Sequence, residues 1–92
     1  MQNMQEDFFK ELRKIQDNSI NIMLCRAEKY ENINDILTDV TYDTIYSVME
    51  LIDGYKNRNL RYEIIERESN MSINASKDLH NLCETYLECT DV

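Results

Sequence analysis

The sequence has no proline, no tryptophan, a single glycine and two alanines in 92 residues. Without proline, and with glycine confined to Gly54, it lacks the punctuation of turn-rich β architecture and favours long helices. One glycine also excludes phosphate loops, dinucleotide fingerprints and serine nucleophile elbows, each of which needs several. No apolar run reaches the length of a membrane span, since the longest cluster, around Met23, is interrupted by Asn21 and closed by Arg26. The start, Met1 to Asp7, is polar and acidic, unlike a secretory signal or a basic transit peptide. The expectation is a cytoplasmic protein forming one domain over residues 1–92, a length that supports one core but not two.

Positive charge is also scarce. Ten basic residues face eighteen acidic ones, for a formal net charge of −8. Binding to a phosphate backbone depends on Lys and Arg neutralising it, and here those residues are few and scattered, so direct nucleic-acid binding is not expected. The favoured partner is a protein with a basic surface. Three cysteines, Cys25, Cys83 and Cys89, are too few and too irregularly spaced for a disulfide framework and read as free thiols. What the chain has in abundance is Asn and Ile, ten of each, along with Tyr and Glu. That bias is the mark of an AT-rich coding sequence, as in a low-GC bacterium, a phage or another mobile element.

Hydrophobic spacing predicts a mainly α protein, a small bundle of about four helices. Phe9, Leu12, Ile20, Met23 and Ala27 form a helical stripe within residues 5–30, widened by Phe8, Ile15, Ile22 and Leu24. The helix-poor triplet Asp17-Asn18-Ser19 can divide that segment. Ile33, Ile36, Leu37 and Val40 predict a short helix capped by Asn32, with Asp35 at its third position. Ile45, Val48, Met49 and Ile52 predict another over 42–53, capped by Thr41 and closed by Gly54 in a left-handed conformation, with Tyr55 packing back on Leu51 or Met49. Leu79, Leu82, Cys83 and Tyr86 predict a last helix over 76–89, capped by Asn74 or Ser76, with a frayed tail at Thr90, Asp91 and Val92. Leu60, Tyr62 and Ile64 alternate with Arg61 and Glu63, which predicts a short β-hairpin near residues 60–73, although a helix paired through Glu63 and Arg67 fits the same residues.

Two groups of residues are candidates for function. Tyr42 and Tyr46 lie one turn apart beside Asp39, Asp43 and Glu50, a combination of ring area and negative charge suited to gripping a basic protein. The plainer account is that both rings flank a core face with their hydroxyls in water. The second group is Glu28-x-x-Glu31 followed by Glu50-x-x-Asp53. Carboxylates three apart share a helical face, and two such pairs on facing helices supply the oxygen ligands that Mg²⁺ takes. This arrangement resembles the carboxylate motif of MazG-type all-α nucleotide pyrophosphohydrolases. The resemblance covers those four residues and implies magnesium-dependent cleavage of nucleoside triphosphates, with Glu28, Glu31, Glu50 and Asp53 as metal ligands. Ala27 stands where that family carries a further acidic residue, and the pair Glu63 and Glu66 shows how readily the spacing arises in an acidic chain. His80 and Cys83, one turn apart, read as partly buried structural residues, because neither a zinc site nor a nucleophile–base pair is complete without further groups.

The first expectation is therefore a non-catalytic protein without a cofactor that acts by protein–protein binding, as a regulator, inhibitor or adaptor. The magnesium pyrophosphatase is the alternative. The stripe over residues 5–30 is wider than one small core can cover, which adds the expectation of a homodimer through helix packing.

Overall fold

The computed structural model describes residues 3–57 and 60–90. The chain is mainly helical: α1 spans Met4–Arg26, α2 spans Ile33–Asp53, and α3 is a single turn over Cys83–Tyr86, with 3-10 turns at Ala27–Lys29 and His80–Leu82. Among the described residues no helix is long and apolar enough to cross a membrane.

Helix α1 starts where Asn3, in extended conformation, accepts the Gln5 N–H at 2.8 Å, with Glu6 and Asp7 on the positive end of its dipole. The Asp17-Asn18-Ser19 triplet does not interrupt it. Asp17 is paired with Arg13 one turn earlier, and Ser19 turns its hydroxyl inward to Asp43, so neither side chain competes for the helix backbone. Helix α2 starts as expected at Asn32, whose side-chain oxygen accepts the Asp35 N–H at 2.9 Å. The two helices predicted over 33–40 and 42–53 are one continuous helix. Thr41 does not cap; its hydroxyl donates back to the Leu37 carbonyl at 2.7 Å, leaving the helical ladder intact. The C-terminus of α2 is the Schellman arrangement that Gly54 announces. Gly54 has φ +91°, its N–H donates to Leu51, and the Tyr55 N–H reaches the Glu50 carbonyl at 2.8 Å.

Packing divides the chain into two compact units, residues 3–44 with 88–90, and residues 45–87. The boundary falls within α2. In the first unit α2 reverses the chain direction and runs back beside α1, so that Ser19 meets Asp43 across the pair. Its buried residues are Ile15, Ser19 and Met23 from α1 and Asp39 from α2. Phe9, Ile20, Leu24, Ile33 and Leu37, all predicted to face a core, are exposed.

In the second unit Leu51 is fully buried, Ile52, Leu79 and Cys83 are buried apolar residues with it, and Ser47, Asp53, Asn74 and His80 are buried polar ones. The segment predicted as a hairpin holds one antiparallel bridge, Ile65 with Ser72, and no strand among the described residues. Glu66 N–H to Met71 and Ile73 N–H to Ile64 flank the bridge, and Asn70 turns the chain with φ +60°. Beyond them a side chain replaces the ladder: Asn74 accepts the Ile64 N–H at 2.9 Å and donates to the Tyr62 carbonyl at 2.8 Å. Asn74 is thereby unavailable as a helix cap, and the last helical stretch begins at His80 rather than at residue 76.

Candidate functional site

The densest polar cluster of the second unit is built on Asp53, the last residue of α2. Its carboxylate is buried and accepts the Leu79 N–H at 3.0 Å, the His80 N–H at 2.9 Å and a contact with His80 Nδ1 at 2.6 Å. Two of these donors, from the N-cap residue Leu79 and from His80, are N–H groups at the start of the 80–86 helical stretch, so Asp53 caps it from a distance of 26 residues in sequence. Burial penalises the charged form of Asp53, but the His80 and Leu79 amides and the His80 ring together outweigh it and hold the carboxyl below the usual carboxylate range. The His80 ring is buried too, with Tyr55 edge-on at 4.6 Å and Tyr46 at 5.6 Å between ring centres. Tyr55 is exposed, and its hydroxyl donates to Asp78 at 2.6 Å.

An Asp–His pair can orient an imidazole for proton transfer, but it needs a nucleophile or substrate within reach. The nearest thiol, Cys83, is buried, and burial followed by the negative charge of Asp53 pushes its pKa up. That is the opposite of an activated cysteine. The cluster therefore acts as an internal anchor.

The predicted site residues are distributed as follows. Asp39 is buried and accepts the Tyr30 hydroxyl at 2.6 Å, the Thr90 N–H at 2.6 Å and the Thr90 hydroxyl. Thr90 is thus anchored rather than frayed, while Asp91 and Val92 lie outside the described residues. Burial raises the Asp39 carboxyl, but the Thr90 and Tyr30 donors outweigh it and the net shift is downward. Asp43 accepts the Ser19 hydroxyl at 3.3 Å, and Glu50 pairs with Lys56 at 3.3 Å. Tyr42 and Tyr46 are half-buried. The carboxylates of this group thus have partners inside their own unit, a preference that nothing local in the sequence announces.

Glu28 and Glu31 are exposed, and the helix that would place them on one face ends at Arg26; Glu28 lies in the 3-10 turn and Glu31 beyond it. Asp53 already holds three donors from residues 79 and 80. Among the described residues, no group of three or more His, Cys, Asp or Glu side chains is placed to hold a metal ion.

The wide apolar stripe expected over residues 5–30 contributes to an apolar groove in the first unit. Ile20, Met23, Leu24 and Ala27 of α1, with Ile36 and Val40 of α2, line an open, wholly apolar groove of about 270 Å³. Leu24 at its edge is 70% exposed, and Ile33 and Leu37 on α2 are 72% and 54% exposed. The signal was present in the sequence. Asp35, Asp39 and Asp43 recur every four residues, which puts the charge of this part of α2 on one side and leaves the other to Ile33, Leu37, Thr41 and Thr44.

Comparison with known protein families, with curated proteins and with solved structures finds no match for this chain. Its functional reading rests on geometry and chemistry alone.

Proposed function

We propose that this chain is a small non-catalytic protein that acts by docking on protein, as a regulator, inhibitor or adaptor, and that the contact surface is the apolar side of the α1–α2 pair. One observation carries the reading. In the first unit, among the described residues, two apolar side chains are buried, Ile15 and Met23, whereas six large ones stand in solvent: Met4, Phe9, Ile20, Leu24, Ile33 and Leu37. Exposed apolar surface on this scale is a mark of interaction sites, since solvating it gains nothing for the isolated chain. The acidic field of the remaining surface, from a net charge of −8, steers encounters towards basic proteins and away from nucleic acid.

The test is affinity capture from the native host with the full chain and a Leu24→Glu variant, at low and moderate salt. The expected result is a discrete protein bound by the wild type and lost from the variant. Recovery of the same abundant background proteins by both would refute this reading.

A further inference from the structure

Asp39 is a buried carboxylate whose donors come from two places in the chain. Tyr30, which follows the 3-10 turn after α1, donates its hydroxyl to Oδ2 at 2.6 Å. Thr90 supplies the rest: its N–H reaches Oδ1 at 2.6 Å and its hydroxyl reaches Oδ2. One residue thus engages both carboxylate oxygens, through an N–H and an O–H carried on adjacent carbons. Serine and threonine are the residues that carry this pair of donors, so the contact reads residue type as well as backbone.

The two halves of the contact are held unequally. Asp39 lies inside α2, where the helical ladder fixes the acceptor independently of residues 88–90. Thr90 follows Glu88 and Cys89, which are both exposed, and residues 88–90 contribute no buried apolar side chain. A short segment with so little apolar burial opens at less cost than the helices it lies on. When it lifts, a buried carboxylate loses two of its three donors, a costly state that favours a replacement.

Charge makes the present occupant a weak one. Glu88 and Asp91 stand on either side of Cys89 and Thr90, in a chain whose net charge is −8. The same hydroxyl residue flanked by Lys or Arg gains attraction where this segment meets repulsion. We propose that Asp39 is a receptor for a basic, Ser- or Thr-bearing segment of a partner protein, and that residues 88–90 cover it as a displaceable strap. None of Tyr30, Asp39 and Thr90 lines the apolar groove, so the receptor is independent of the docking surface around Leu24. The strap lowers the apparent affinity of a partner by the fraction of chains in which it is open.

Amide hydrogen exchange on the full chain, read residue by residue by NMR, tests this. The probe is a synthetic peptide of residues 86–92 carrying Glu88→Lys and Asp91→Lys; the control peptide carries Thr90→Val in addition. The Thr90 amide is expected to exchange faster than the Leu79 and His80 amides held by Asp53, and to accelerate in proportion to the probe added. The control peptide should leave it unchanged. Thr90→Val in the full chain removes the strap's hydroxyl donor and should tighten binding of the probe, with circular dichroism checking that the helices persist. A Thr90 amide that exchanges as slowly as those of Leu79 and His80 overturns the displaceable strap. Equal effects of the two peptides, or none from either, overturn the receptor, as does a folded Thr90→Val chain that binds the probe no better than wild type.

Discussion

Asp53 grips both the backbone and the ring of His80, with its Oδ2 2.9 Å from the His80 nitrogen and 2.6 Å from Nδ1. The contact joins the end of α2 to the start of the last helical stretch and closes the second unit. Asp53→Ala removes an ionised acceptor and leaves two buried N–H groups and an imidazole nitrogen to find new partners. A loss of about 3 kcal/mol is expected, typical of a broken buried charge-assisted network. Asp53→Asn keeps the volume and one acceptor oxygen, and should cost less. Urea unfolding of the two variants against wild type checks the order, which should be wild type, then Asn, then Ala.

The same carboxylate makes folding sensitive to acid. Asp53 and Asp39 both titrate below the ordinary value of 3.8 in the folded chain, because their hydrogen-bond donors outweigh the penalty of burial. A group with a depressed folded pKa stabilises the native state fully above its unfolded pKa, and that stabilisation is lost as pH falls through the folded value. Stability should therefore decline as pH drops below about 3.8. The decline should be shallower in Asp39→Asn and in Asp53→Asn, since each has one linked carboxyl fewer. Urea midpoints measured at a series of pH values give the slopes, and equal slopes in all three proteins would contradict the linkage.

How much of this was legible in the sequence depends on how local the cause is. The α2 cap at Asn32 and its Gly54 terminus follow from residue types within one turn, and both are where the sequence places them. The break predicted at Thr41 does not occur, because a threonine hydroxyl satisfied by its own helix is indistinguishable in sequence from one that caps. The late start of the last helical stretch follows from two long-range bonds, Asn74 to Tyr62 and Asp53 to Leu79, which no local window contains. Core faces were read from apolar periodicity, yet Phe9, Ile20, Leu24, Ile33 and Leu37 are exposed while Asp39 and Ser47 are buried. Periodicity identifies a side that avoids water but does not say whether this chain or another one covers it.

Gly54 is the position where backbone conformation most narrowly limits the residue. Its φ of +91° is open to glycine and strained for L side chains, and an added Cβ would lie 3.2 Å from the Arg61 Cβ. Gly54→Ala should lower stability by about 1–2 kcal/mol through the left-handed backbone alone. Gly54→Asn meets the same Arg61 contact but tolerates positive φ better, so it should fall between alanine and wild type. Thermal melts of the three proteins separate the steric part, common to both variants, from the backbone part, which differs between them. Equal melting temperatures for Ala and Asn would assign the cost to Arg61.

The three cysteines should react at unequal rates. Cys25 and Cys89 are exposed, whereas Cys83 is buried beside Asp53 with its thiol pKa raised, by burial first and by the carboxylate charge second. Thiol reagents attack through the thiolate, so a raised pKa and lost access slow the reaction together. Two thiols should label quickly under native conditions and the third only on opening of the second unit. Asp53→Ala lowers that opening cost and removes the negative charge, so it should speed labelling of Cys83 while leaving Cys25 and Cys89 unchanged. Peptide mapping of the labelled sites over time reads each rate separately, and labelling of Cys83 as fast as the other two in the native protein would contradict its place in the core.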